Sequence, residues 1–334
     1  MQYSLAVGIA LLSLSLIAIN HFVADISPFS LSPDFTRGAE YMRIKHLGTL
    51  NLKSQKIDGI AIGKLSGLAW EADSATLYAI SDDGFLFRFK VKVDNGFLTQ
   101  IKPISAVPLL NEENKPLADS TRKDAEGLAI IKANNGLPDD STLLISFEHD
   151  TRVAAYTVDG KWLYDLALPS KLQRKEDYHQ RNSSLESILV HPQYGVIVAT
   201  ELFMEKEAKQ RRILYALNPE LKGMRWQFMS LPNQDSAVTG IDVAPDGSII
   251  LLERSWPNPL GRLVIGVRRI KLAECQPYSP CPVEDLAIFD SDKGWMVDNY
   301  EGLSQYQGNQ FFMVSDDNSG ILQNTLLTLI EIKD

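Results

Sequence analysis

Short aliphatic runs, each ending at an acid or at a Gly/Asn/Asp turn, recur along the chain, and no stretch after residue 25 sustains a helical period. Five segments share one pattern: a small or acidic residue, Gly or Ser, an aliphatic, a gap, then an aliphatic run closed by an acid. They begin at Ser66-Gly67-Leu68, Glu126-Gly127-Leu128, Glu186-Ser187-Ile188, Thr239-Gly240-Ile241 and Glu301-Gly302-Leu303, with spacings of 60, 60, 53 and 62 residues. The runs that follow are LYAISDD, LLISFE, VIVATE, IILLER and FFMVSDD.

In the first unit the pattern predicts strands at Gly67–Trp70, Thr76–Ser81, Leu86–Val93 and Leu98–Val107, separated by EADSA, DDGF and DNGF. Four short antiparallel strands per repeat predict an all-β fold, a β-propeller of five blades. A sixth blade has room only in the loops around 171–181 or 272–283. The last unit is one strand short, and an N-terminal strand at Tyr41–Leu50 is expected to complete it and close the ring. With no composition break, residues 25–334 read as one propeller domain.

Ahead of it, Leu5–Ile19 is an uncharged apolar run of fifteen residues, shorter than the about 20 needed to span a bilayer. Residues 1–24 therefore read as a signal peptide or an N-terminal membrane anchor. No Lys or Arg precedes the run and Phe22-Val23-Ala24 is not a small-x-small site, so both readings stand. Either one places the protein outside the cytoplasm, in the periplasm or the extracellular space, with a membrane tether through residues 5–19 in the anchor case. Cys275 and Cys281 in CQPYSPC then read as a small-loop disulfide, with two unpaired thiols as the alternative.

The chain of 334 residues is 45% hydrophobic and 22% charged, enough for a real core, and its net charge of -9 argues against a nucleic-acid partner and for cations as guests. A monomer is expected. The acids carry the candidate chemistry. Glu126, Glu186 and Glu301 share one repeat position at the start of the inner strand. Asp82, Glu148, Glu201, Glu253 and Asp316 share another at the end of the next strand. In a propeller such positions converge on one face around the axis, so these carboxylates are expected to ring a funnel. They would repel one another unless protonated, paired with cations or holding a metal, and an all-oxygen donor set suits Ca²⁺. Arg122 and Lys123 precede Glu126, Arg181 precedes Glu186, and Arg254 follows Glu253. Arg254 or Arg122 beside a metal suits a phosphate, with Glu126 or Glu301 orienting a water. The competing reading is structural, because strand-end acids also cap turns and pair locally. In ISDDG and VSDDN, Asp82 and Asp316 are expected to reach the funnel while Asp83 and Asp317 serve the turns. His149, next to Glu148, offers acid–base chemistry but reads more simply as an exposed loop residue. No nucleophile elbow, HExxH, Walker loop or dinucleotide fingerprint occurs.

DAEGLAI at 124–130, SFEHD at 146–150, LLERSW at 251–256, and DNYEGLSQ with VSDDN near the end together resemble the phytase-like family, described as esterase-like activity of phytase. The likeness runs from about Ser66 to the C-terminus. It implies an exported protein that hydrolyses phosphate or other esters of small molecules, and it adds Asp124 to Glu126, Glu148, Glu253, Arg254, Glu301, Asp316 and Asp317 as positions of interest. Glu186-Ser187 departs from the family's Glu-Gly. A metal-dependent phosphoester hydrolase is the expectation from this resemblance. The alternative is a non-catalytic propeller that binds a ligand or a protein through its upper face.

Overall fold

A computed structural model describes residues 26–333, apart from 53–54, 119–120, 181–182, 222, 233–234, 259–260 and 321. The signal or anchor segment, 1–24, lies outside the described residues, as does Arg181. Among the described residues no helix is long and apolar enough to cross a membrane.

The described residues form five four-stranded antiparallel blades. Blade 1 runs Leu65–Glu71, Thr76–Ser81, Phe85–Asp94, Phe97–Pro108 from the axis outward. Blade 2 is Ala125–Ile131, Thr142–Phe147, Arg152–Thr157, Trp162–Leu166. Blade 3 is Leu185–His191, Gly195–Thr200, Arg211–Ala216, Arg225–Met229. Blade 4 is Ala237–Val243, Ile249–Ser255, Val264–Ile270, Glu284–Asp290. Blade 5 takes Asn299–Gln305, Gln310–Asp316 and Leu326–Ile332 from the C-terminus and Ile44–Asn51 from the N-terminus. That last pairing, Leu326 with Asn51 through Ile332 with Ile44, joins the two ends of the chain, where a strand at Tyr41–Leu50 was expected. Among the described residues, the two loops considered for a sixth blade hold single turns of helix, at Ser170–Gln173, Lys175–Asp177 and Leu272–Glu274, and isolated bridges at Tyr178 and Cys281, but no strands. In the second of them Cys275 and Cys281 form a disulfide, and the Cys281 N–H bonds the Gln227 carbonyl, which seats the loop on the outer strand of blade 3.

What positions the site is the packing of inner strand on inner strand around the axis. Every inner strand carries a bulge at the same place: Ser66, Glu126, Glu186, Thr239 and Glu301 are the residues passed over between Leu65/Gly67, Ala125/Gly127, Leu185/Ser187, Val238/Gly240 and Tyr300/Gly302. A bulge leaves one residue unpaired and re-aims it, so the repeated acid is the residue released from the ladder. The Gly that follows has no room for a side chain. A Cβ on Gly67 would lie 2.7 Å from the Leu128 nitrogen, and one on Gly240 would lie 2.6 Å from the Glu301 carbonyl oxygen. At Ser187, where blade 3 departs from Glu-Gly, the backbone keeps this approach: its Cα is 2.8 Å from where a Gly127 Cβ would sit.

Below these positions a ring of buried aliphatics, Leu68, Leu128, Ile188, Ile241 and Leu303, closes the channel around a cavity of only ≈ 10 Å³. That is room for one water at most. The upper mouth, where the inner strands begin, and the lower mouth are thus separate compartments. Gly240→Ala should drive a methyl into blade 5's backbone and cost about 1–3 kcal/mol, as overpacking does. Urea unfolding checks it: the midpoint should fall with an unchanged slope.

Candidate functional site: an acid-lined funnel

The bulge residues Glu126, Glu186 and Glu301 meet the strand-end residues of neighbouring blades at the upper mouth. Counted from the residue paired with the inner-strand Gly or Ser (Ile80, Ser146, Ala199, Leu252, Val314), the second position onward is Asp82, Glu148, Glu201, Arg254 and Asp316. The equivalent of the other blades' acid in blade 4 is therefore Arg254, not Glu253. This corrects the sequence alignment of the repeats by one residue. In a strand a one-residue slip turns a side chain to the opposite face. Glu253 accordingly points away, is 0% exposed, and accepts hydrogen bonds from Arg268 Nη1 (2.6 Å), Ser236 Oγ (2.5 Å) and the Leu231 N–H (3.0 Å). It does not join the other acids.

Arg254 is the cation at the centre. Its Nη1 donates to Glu301 (2.5 Å) and Asn299 (2.6 Å), its Nη2 to Glu201 (3.1 Å), and Asn299 Nδ2 also donates to Glu301 (2.8 Å). Burial works against the guanidinium's charge, but Glu301, Glu201, Glu186 and Asp316 outweigh it and raise the pKa. Glu126 and Glu186, by contrast, have no hydrogen-bond or ion-pair partner among the described residues, and both are buried. Burial pushes both carboxyls well above the usual range; Glu301 and Asp124 add most to this at Glu126, and Glu201 and Glu126 at Glu186. Burial also lifts Glu148 to about 8, with Glu201 and Asp124 adding to it, and Asp316 to about 8, with Glu301 adding. Glu301 is lifted to about 7 by burial, with Arg254 opposing, and Asp82 to about 6 by burial, with Lys64 opposing. Glu201 is raised by burial against the pull of Arg254.

Two donor groups stand out. One oxygen each from Glu148, Glu186 and Glu201 lie within 4.8 Å of one another, as do donor atoms of Asp124, Glu148 and His149. Ligand oxygens about 2.3–2.6 Å from a Ca²⁺ are at most about 5 Å apart, so the first group, all oxygen and short of protein partners, fits a divalent cation. Asp124 holds the His149 ring at Nδ1 and leaves the imidazole 45% exposed at the rim. Sequence reasoning underrated this pair, because an Asp 25 residues upstream gives no local signal. Asn299, which fixes both Glu301 and Arg254, was also missed, although it stands two residues before the repeat acid.

The remaining expected residues lie around the rim or outside it. Arg122 is 41% exposed and faces Glu112 (3.4 Å) and Asp150 (3.5 Å), not Glu126. Lys123 meets Asp83 (3.2 Å) instead of the funnel acids, and Asp83 also takes Lys64 (3.2 Å). Asp83 thus ties blades together by charge instead of capping its own turn. Asp82 does face the funnel, with its Oδ1 buried and unpartnered among the described residues. At the other end of the chain Asp316 does both jobs: it joins the cluster and accepts the Asn318 N–H (2.7 Å). Asp317 accepts the Lys64 and Ser319 N–H groups and the Thr325 hydroxyl, clamping blade 5 to the start of blade 1.

Fold and site together define a five-bladed propeller with an acid-lined axial funnel. The chain belongs to the phytase-like family, esterase-like activity of phytase, whose model matches residues 60–319. A search among curated proteins finds no match. Among solved structures the chain is similar to U3-55K (10% identity, 88% of this chain and 100% of that one, TM-score 0.41). It is also similar to a PQQ-bound aldose sugar dehydrogenase from Streptomyces coelicolor (10%, 88% and 100%, 0.43) and to a gluconolactonase from Xanthomonas campestris (13%, 93% and 98%, 0.42).

Two outcomes follow from this electrostatic arrangement. Glu253→Ala removes one partner of a buried ion pair and should cost about 3–5 kcal/mol, whereas Glu186→Gln puts a neutral isostere in place of a carboxyl that burial and its neighbours hold protonated, and should leave the metal-free protein as stable, or more so at alkaline pH, in thermal melts. The second concerns pH. Carboxyls whose folded pKa is raised favour the native state below their unfolded pKa, and that contribution is lost as pH rises through the folded value. From the values for Asp82, Glu301, Glu148 and Asp316, metal-free stability should decline from about pH 5 to about pH 8. Melting curves across that range check it, and any stabilisation by Ca²⁺ should be larger at pH 8 than at pH 5.5.

Proposed function

We propose that this protein is an exported, metal-dependent phosphoester hydrolase acting at the upper funnel, with Ca²⁺ held by Glu148, Glu186 and Glu201. The observation that carries the reading is the group of three carboxylates within 4.8 Å of one another, two of them buried and Glu201 partly so, at the centre of a cluster that Arg254 balances only in part. A phosphate would be repelled by such a site, so the site makes chemical sense for this substrate only with a cation between them. A divalent ion there supplies neutralisation and polarisation of the phosphoryl oxygens. Glu126, which has no partner among the described residues, would give up its own proton once a divalent ion neutralised the cluster, and would then accept that of the attacking water. Arg254, held by Glu201, Glu301 and Asn299, fixes those carboxylates in place, which makes Glu301 a positioning group. His149, oriented by Asp124 at Nδ1, sits at the mouth, where its doubly protonated form would donate from Nε2 to a departing oxygen. Arg122 takes no part. Export rests on the apolar run at 5–19 and on the disulfide, a bond rare in the reducing cytosol.

One observation favours the second reading, ligand binding without turnover. Both terminal nitrogens of Arg254 are already bonded to carboxylates, so this cation is not free for a phosphoryl oxygen. Assays with p-nitrophenyl phosphate and p-nitrophenyl acetate separate the readings. Phosphate-ester turnover should require Ca²⁺, vanish in EDTA, return on recalcification, and fall by about 10-fold or more in Glu186→Gln, as loss of metal-site contacts does. Acetate cleavage that ignores EDTA would replace the phosphoester reading with a carboxylic esterase. Silence with both substrates would leave the binding reading.

A further inference from the structure

The lower mouth of the channel is a different compartment with its own chemistry. Beneath the aliphatic ring that closes the axis lies a cavity of ≈ 160 Å³ whose walls include Leu68, Ile130, Val190, Trp70, Asp242 and Ser304. It is smaller than the about 300 Å³ at which pockets for drug-sized ligands begin, so it suits a molecule of a few heavy atoms. Two residues in its wall bear on what it can hold and how that is read. Trp70 is 8% exposed with its indole nitrogen closed off from the cavity, so the ring is a reporter in the wall and not a donor to a ligand. Asp242 sits in the same wall, and among the described residues no cationic side chain pairs with it: its oxygens accept the N–H groups of Val243 (2.7 Å) and Gln305 (2.6 Å). A carboxylate can accept about four hydrogen bonds, so about two acceptor positions remain. At the positions equivalent to Asp242 the neighbouring blades carry Ala69, Ala129 and Leu189. The propeller repeat therefore does not require an acid there.

We propose that this cavity is a second ligand site, independent of the acid funnel, and that it binds a small amine. The ammonium group faces the Asp242 carboxylate, and the short carbon chain lies against Leu68, Ile130 and Val190. A partly buried carboxylate with no cation beside it among the described residues selects for positive charge, and the small volume limits the ligand to a few heavy atoms. Anions are excluded, which separates this site's chemistry from a funnel whose substrate is brought in by a metal. The aliphatic ring separates the two compartments, so the site works whether or not the funnel is catalytic.

Ethanolamine is the probe, read on the Trp70 indole ¹H–¹⁵N resonance, which Trp70→Phe assigns by removing it. Ethanolamine should shift that resonance saturably in the wild type, while 1,2-ethanediol, which lacks the charge, should not. Asp242→Asn should abolish the shift. Ala129→Leu, which fills the cavity and leaves Asp242 and its backbone bonds in place, should abolish it too, and it keeps the test valid if Asp242→Asn fails to fold. Glu186→Gln in the funnel should keep it. The proposal is overturned by the absence of a saturable shift at millimolar excess, by an equal response to ethanediol, or by saturation that survives in Ala129→Leu; in those cases the cavity holds only solvent.

Discussion

Everything in this molecule depends on how closely five inner strands approach at the axis. The approach is tight enough that Gly67 and Gly240 stand where any Cβ would overlap the next blade's backbone. The same crowding is relieved by a bulge in each inner strand, and the bulge is where Glu126, Glu186 and Glu301 reside. The constraint that lets the ring close therefore also delivers carboxylates to one small volume. Residues some 60 apart in sequence become neighbours because each makes the same local departure from its ladder.

Placing so many acids together costs energy that burial increases, since neither water nor counter-ions can screen them. The fold offsets part of the cost with Arg254, bonded to Glu201, Glu301 and Asn299, and part by holding carboxyls protonated. The rim is organised differently. There Lys64 and Lys123 pair with Asp83, and Arg122 pairs with Glu112 and Asp150, in exposed bridges of modest worth. The contrast between a balanced rim and an under-compensated centre is what marks the centre as a site. A purely structural network would resemble that of Glu253, where Arg268, Ser236 and the Leu231 N–H together satisfy both oxygens.

The aliphatic ring formed by Leu68, Leu128, Ile188, Ile241 and Leu303 gives the propeller two mouths with no shared solvent. Chemistry at one end can change without disturbing the other, because the ring is built from residues that each blade contributes to the core. The closure of blade 5 by Ile44–Asn51 supports both mouths, since it keeps the inner strands of blades 5 and 1 in contact.

Much of this was legible in the sequence for a physical reason: repeats impose the same local pattern on each unit, so the blade count, the strand positions in blade 1, the N-terminal closing strand and the shared location of Glu126, Glu186 and Glu301 all follow from spacing and periodicity. The Cys275–Cys281 bridge was legible because a sequence separation of six in a proline-containing loop keeps the two thiols close. What the sequence could not decide was the face on which a side chain emerges when a repeat is altered by one position, and so Glu253 and Arg254 exchanged places. Nor could it decide which cation meets which acid. Adjacency suggested that Arg122 and Lys123 serve Glu126, yet strand twist and loop path send them to Glu112, Asp150 and Asp83. The His149–Asp124 contact, the clamp of Asn299 on Arg254 and the cavity beside Trp70 and Asp242 arise between segments far apart in the chain. Those depend on how blades pack, and only the tertiary structure determines that.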